Sequence, residues 1–213
     1  MHFRNRFDAG RQLGEALKPR YGDRPDALIL ALPRGGVPVA HEVAQILNAP
    51  LDVFVVRKLG VPGQEELAMG AIASGGAAVF NDDVLHSLGI PSHLIDAKIN
   101  HERGELERRE REYRGNRPPV DVRGKTVILV DDGLATGASM HAAVRAVRPL
   151  QPLAIVVAVP AAAESTCVRL RHLVDDVVCL FTPEPFRAVS AWYDDFSQTT
   201  DREVHDLLAQ AVS

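Results

Sequence analysis

Apolar runs and helical stripes alternate along the 213-residue chain. DALILAL (26–32), LDVFVVRK (51–58), KTVILVD (125–131), LAIVVAVP (153–160) and DVVCLF (176–181) are short runs rich in strand formers and read as strands. Between them, VPVAHEVAQILNA (37–49), SMHAAVRAVRPL (139–150) and STCVRLRHL (165–173) repeat apolar positions at helical spacing. AMGAIA (68–73) and AAVF (77–80) around Gly75-Gly76 predict a hairpin. NDDVLHSLG predicts a capped helix, and Pro91-Ser92 opens a longer one reaching about Tyr113. LGVPGQEELAMG (59–70) breaks the pattern with Gly and Pro, and TDREVHDLLAQAV (200–212) ends as an amphipathic helix. This alternation predicts an α/β fold: a mainly parallel sheet with helices on both faces, in one domain over 1–213 with an elaborated edge. Ligands of such sheets gather at the carboxyl ends of the strands.

Composition narrows the class. With 46% hydrophobic and 24% charged residues the chain is ordinary globular material. A net charge of -4 gives no general attraction to nucleic acid or an anionic membrane. No apolar stretch approaches the roughly 20 residues of a membrane span, and the first residues lack the apolar core of a secretory signal, so a cytoplasmic location is expected. Cys167 and Cys179 lie in apolar segments and read as reduced core residues. HERGELERREREYRGNR (101–117) alternates six Arg with five Glu, the pattern of a solvated helix with i,i+4 ion pairs rather than an RNA-binding arm.

The chemistry concentrates in VILVDDGLATGAS (127–139), where an apolar strand runs into Asp131 and Asp132 and then into a small-residue loop and a helix. A plain strand–turn–helix accounts for one Asp but not two before such a loop. A Walker B strand fails because Pro119 stands where a P-loop ending in Gly124-Lys125-Thr126 needs Gly, and that triplet precedes the strand. The physical reading is an anion cradle. Backbone N–H groups of 134–139 converge at a helix N-terminus, Gly137 permits close approach, and the Thr136 and Ser139 hydroxyls add donors. Two acceptor-only carboxylates beside it suit vicinal hydroxyls, so a sugar phosphate satisfies both halves.

Here the sequence resembles the type I phosphoribosyltransferase family, whose signature is four apolar residues, two acids and a short Thr-Gly loop that binds phosphoribosyl pyrophosphate. The resemblance implies that Asp131 and Asp132 hold the ribose hydroxyls and that Ala135, Thr136, Gly137, Ala138 and Ser139 hold the 5′-phosphate. Gly133 departs from the family's aliphatic residue and is expected to loosen the loop. Ala135 stands where 6-oxopurine enzymes carry Asp, which counts against a hypoxanthine- or guanine-type activity. ALPRGGVPVAHEVA (31–44) resembles the family's pyrophosphate loop, with Arg34, Gly35 and Gly36 as its seat. In VRKLGVPGQEELAMGAIA (56–73) the resemblance implies a mobile loop, with Arg57 and Lys58 as candidates for pyrophosphate contacts and Glu65 and Glu66 as loop charges.

The family builds a variable hood over the acceptor base, expected here from N-terminal residues and 181–199. In FTPEPFRAVSAWYDDF (181–196), Phe186, Trp192 and Tyr193 either stack on a planar ring or simply pack that irregular segment. The implied activity is Mg²⁺-dependent transfer of the phosphoribosyl group to a nitrogenous base or related acceptor with release of pyrophosphate. Catalysis then rests on Asp131, Asp132, Arg34 and Lys58, with Mg²⁺ carried mainly by the substrate and no direct protein ligand. A non-catalytic regulator that binds phosphoribosyl pyrophosphate or a nucleotide is the alternative. Homodimers are common in the fold.

Overall fold

The computed structural model describes residues 2–76, 78–115 and 117–211, without the side chains of Glu65, Glu66 and Asp82. Five parallel strands, β1 (Ala27–Ala31), β2 (Leu51–Val53), β6 (Thr126–Val130), β7 (Ala154–Ala161) and β8 (Asp176–Phe181), form the main sheet in the order β2-β1-β6-β7-β8. Three antiparallel strands, β3 (Val56–Val61), β4 (Gln64–Ala73) and β5 (Ala78–Phe80), form a second, smaller sheet. The helices are α1 (Arg6–Tyr21), α2 (Gly36–Leu47), α3 (Asp82–Leu88), α4 (Ser92–Arg114), α5 (Ala138–Val147), α6 (Glu164–Arg171) and α7 (Asp201–Gln210).

Alternation along each central strand sorts the core into two halves, because successive side chains leave a strand on opposite faces. Ile29, Ile128, Val130 and Val156 join Leu13 and Leu17 of α1, Val43 and Leu47 of α2, and Val204 and Leu208 of α7. Leu28, Leu30, Val127, Leu129, Ile155 and Val157 join Met140, Val144 and Val147 of α5 and Cys167 and Leu170 of α6. Both faces of the sheet are therefore covered, as continuous apolar strands require.

Three elements differ from the sequence expectation. Residues 51–58 are two strands of different sheets. Phe54 N–H still bonds the Ala31 carbonyl (2.9 Å), but the Val55 carbonyl already accepts from Ser74 N–H (2.9 Å). A continuous apolar run conceals this transfer because both sheets bury it. The broken pattern at 59–70 is a hairpin turning at Pro62-Gly63, with Gly63 at φ 81°. Finally, α1 carries no continuous apolar stripe, yet its buried line is Ala9, Gly10, Leu13, Gly14, Leu17 and Tyr21. Its glycines are there for close packing on α2: a Cβ on Gly10 would lie 2.5 Å from the Val39 carbonyl oxygen. Asn5 caps the helix by accepting from Asp8 N–H at 2.9 Å. No helix of the described residues is long and apolar enough to cross a membrane.

Candidate functional site

The site lies at the carboxyl ends of β1 and β6. Leu32 N–H bonds the Val130 carbonyl (2.9 Å), so the loops following the two strands start side by side. They stay in contact because Gly35 and Gly36 of the first loop carry no side chains. A Cβ on Gly36 would stand 2.7 Å from the Val130 carbonyl oxygen and 2.9 Å from Asp131 Cα. One on Gly35 would stand 2.1 Å from Asp132 Oδ2. The Pro33–Arg34 peptide in this loop is cis.

After the carboxylates, Gly133 and Leu134 are buried and the chain is tied to the end of β7. Leu134 N–H bonds the Ala161 carbonyl (2.9 Å), and Ala163 N–H bonds the Leu134 carbonyl (3.0 Å). Gly133, where a looser loop is expected, is buried and closely packed. It lets the 181–199 segment cross the loop, since a Cβ there would lie 2.6 Å from Val189 Cγ1. From α6, the Thr166 hydroxyl donates to the Ala135 carbonyl (2.7 Å) and the Arg169 guanidinium donates to the Thr136 carbonyl (3.3 Å). Gly137 caps α5 at φ 71°, a left-handed position where a Cβ would also meet Thr166 Cγ2 at 2.5 Å. With its back fastened, the loop leaves Ala135, Thr136, Ala138 and Ser139 exposed. A cavity of about 170 Å³ runs along 133–140 and includes Asp131 and Lys58.

A second cavity, of about 420 Å³, is lined by Arg6, Arg34, Gly35, Phe196, Gln198 and Thr199 together with both carboxylates. Asp131 belongs to both cavities, which therefore meet at the acidic pair. The two carboxyls share one small region withdrawn from water. Burial raises Asp131 well above the ordinary carboxylate range, and the adjacent Asp132 adds to it. Burial also raises Asp132, against the pull of Arg6, whose Nε donates to Asp132 Oδ2 at 2.8 Å.

The structure brings Asp131, Asp132, Arg34, Gly35, Gly36 and the 135–139 loop together. Lys58 joins them on the side of the 133–140 cavity. Arg57 does not. Neighbours on β3 point to opposite faces, and Arg57 donates twice to Glu102 Oε2 of α4 (2.9 and 2.6 Å). Glu65 and Glu66 have side chains outside the described residues. Of the three aromatics, none lines the larger cavity. Trp192 packs edge-on to Phe181 at 5.2 Å and lies 6.3 Å from Phe186. Tyr193 is buried between Phe3 and Phe196, and its hydroxyl donates to the Asp132 carbonyl at 2.6 Å. It braces the carboxylates from beneath. Sequence reasoning covered Arg6, Phe196, Gln198 and Thr199 only as parts of the expected hood segments, without singling them out for the site, and missed the back-bonding Arg169. Arg6 and Arg169 sit in segments with no motif: an acid in need of a counter-ion is the one hint at Arg6, and Arg169 bonds a backbone carbonyl that carries no sequence signal.

A family model described as a phosphoribosyl transferase domain matches residues 7–190. A Mycobacterium tuberculosis protein carrying a provisional phosphoribosyl transferase name is 45% identical over 209 residues, 98% of this chain. The chain spans about half that relative's length, 47%. The solved structure of TT1426 from Thermus thermophilus superposes with a TM-score of 0.89 at 41% identity, over 100% of both chains. The AQ2163 protein of Aquifex aeolicus shares the fold at a TM-score of 0.51 and 16% identity, over 98% of this chain and 87% of that one.

Proposed function

The chain belongs to the phosphoribosyl transferase family, and from that premise we propose that this site binds phosphoribosyl pyrophosphate and transfers its phosphoribosyl group to a nitrogenous base or related acceptor. The observation that carries the proposal is the meeting of the two cavities at the acidic pair. One cavity, walled by 133–140, suits the 5′-phosphate. The other, with Arg34 and Gly35 on its wall, suits the pyrophosphate and the incoming acceptor. Asp131 and Asp132 stand between them, where the ribose hydroxyls of a substrate spanning both would fall.

In this reading the bond from the sugar C1 to pyrophosphate breaks and a bond from C1 to an acceptor nitrogen forms. The acceptor's proton leaves with solvent. The chain's own work is positioning and charge. The 135–139 loop holds the phosphate end through backbone N–H groups and the Thr136 and Ser139 hydroxyls. Arg34 and the N-terminus of α2 hold the leaving group, and Lys58 adds a cation over the phosphate loop. The acidic pair orients the ribose and favours the positive charge that builds on its ring.

Mg²⁺ bound together with the substrate would supply neutralisation of the leaving group, beside Arg34 and the N-terminus of α2. Among the described residues no cluster of three or more His, Cys, Asp or Glu side chains is arranged to hold a metal.

The test is calorimetric titration with phosphoribosyl pyrophosphate and Mg²⁺, run on wild type and on Asp131→Asn/Asp132→Asn. Binding by wild type and its loss in a folded double variant are the expected results. Binding that survives the double change overturns the site assignment. A screen of acceptors for pyrophosphate release then separates transferase from binding protein: binding without release under any acceptor would favour the regulatory role.

A further inference from the structure

Within the larger cavity one cation is bonded to the acidic pair, and it comes from the far end of the chain. Arg6 opens α1, and its side chain is 10% exposed. Its Nε donates to Asp132 Oδ2 at 2.8 Å, and Nη1 donates to the Ser197 carbonyl at 2.7 Å. Its guanidinium carbon lies 3.8 Å above the Phe196 ring. The guanidinium is thus fixed on three sides: by the end of β6, by the backbone of the 194–199 segment and by an aromatic face. Arg6, Phe196 and Ser197 all fall outside residues 7–190, the span of the family match.

Building on the reading of the site as a ribose-phosphate seat, we propose that Arg6 is a positioning residue. It holds Asp132 as an oriented, ionised acceptor for a ribose hydroxyl.

The physical reason is the proximity of two carboxyls in a desolvated place. Such a pair does not hold two negative charges without a compensating cation. Asp131 receives the backbone N–H of Asp132 (2.9 Å) and no hydrogen bond from a cation among the described residues, Lys58 of β3 lining the smaller cavity with it. Arg34, across the cavity on the β1–α2 loop, faces Asp201 of α7 at 3.7 Å. Tyr193 donates to the Asp132 carbonyl oxygen and leaves the carboxylate alone. Asp195 and Glu203 line a pocket with Arg6, and Asp195 is lowered mainly by the hydrogen bond from Ser197 N–H, with the charge of Arg6 a lesser contribution. Without Arg6, the carboxyls would therefore take up a proton at higher pH. A protonated carboxyl is no longer acceptor-only, and a ribose hydroxyl loses its partner. Ligand affinity would then fall with acidification at a pH where wild type still binds. The sign is that of a carboxyl whose ionised form is required: function is present above its pKa and is lost as pH drops through it.

Two measurements test this on the full chain. The first is the pH profile of phosphoribosyl pyrophosphate binding, with Mg²⁺, for wild type, Arg6→Gln and Arg6→Lys. The acid limb of Arg6→Gln is expected to move up by about one pH unit or more, which is roughly a tenfold loss of affinity per unit on that limb. Affinity should recover towards wild type in alkali, and Arg6→Lys should lie between the two. A loss of the same size at every pH would reveal a packing role only and overturn the proposal, as would no change.

The second is direct titration of the Asp131 and Asp132 carboxyl carbons by NMR in the ligand-free protein. The apparent titration of the pair should rise in Arg6→Gln. An unchanged titration overturns the proposal even if binding fails for other reasons. Should wild type bind no phosphoribosyl pyrophosphate, the site reading falls, while the carboxyl titration still decides the role of Arg6. If Arg6→Gln does not fold, Arg6→Lys carries both tests, its planar fork replaced by a point charge.

Discussion

Gly35→Ala isolates one contact of the site. Gly35 has φ -58° and ψ -34°, a conformation any L-residue adopts, so the substitution carries no backbone strain. What it introduces is a methyl group whose three nearest atoms all belong to the Asp132 carboxylate, at 2.1, 2.8 and 3.4 Å. The nearest, Oδ2, is the oxygen that Arg6 Nε bonds at 2.8 Å. The carboxylate has to swing away, and the charge-assisted hydrogen bond goes with it, at a cost of about 2 kcal/mol. If Asp132 holds a ribose hydroxyl, affinity for phosphoribosyl pyrophosphate should fall roughly thirtyfold or more. Urea unfolding of Gly35→Ala, Asp132→Ala and the double variant reads the stability cost, and calorimetry reads the affinity. Asp132→Ala removes all three of the crowded atoms, so adding Gly35→Ala to it should cost almost nothing further. An equal cost of Gly35→Ala in both backgrounds would refute the contact, and so would a Gly35→Ala protein that binds like wild type.

Two further outcomes test the scaffold. Gly104 lies exposed within α4 with no heavy atom within 4 Å of a built Cβ, so Gly104→Ala should stabilise the fold by about 0.8–1 kcal/mol in urea unfolding, through helix propensity alone. Asp52→Ala should destabilise by about 3–5 kcal/mol in the same assay, because Arg114 bonds both Asp52 oxygens (2.8 and 2.9 Å) with each side chain under a tenth exposed.

Much of the fold follows from local pattern. The central strands β1, β6 and β7 are legible because they are apolar on both faces, the edge strands β2 and β8 because they lie in short apolar runs, and α2, α5 and α7 because their apolar positions recur at helical spacing. The acidic pair and its loop are legible for a similar reason: every residue of that cradle is contiguous, from Val127 to Ser139. Legibility fails where packing replaces hydrophobicity as the signal. In α1, Gly10 and Gly14 occupy core positions because α2 comes too close for a larger side chain, and a pattern that counts apolar residues overlooks them. In Arg57 and Lys58, two adjacent cations of the same kind separate onto opposite faces of β3, one to Glu102 and one to the cleft.

What the sequence alone determined is the chemistry available at one strand end: two carboxylates, a glycine-containing loop and a helix start, bound together by the covalent chain. Only the tertiary structure decided how that chemistry is governed. Arg6 reaches Asp132 across 126 residues of sequence, Tyr193 braces the same residue across 61, and Gly35 lets the neighbouring loop touch it. None of these contacts has a period or a motif. Each exists because the parallel sheet brings the ends of β1 and β6 side by side and the terminal segments close over them. Burial there makes a lone charge costly, and so a distant guanidinium acquires a definite role.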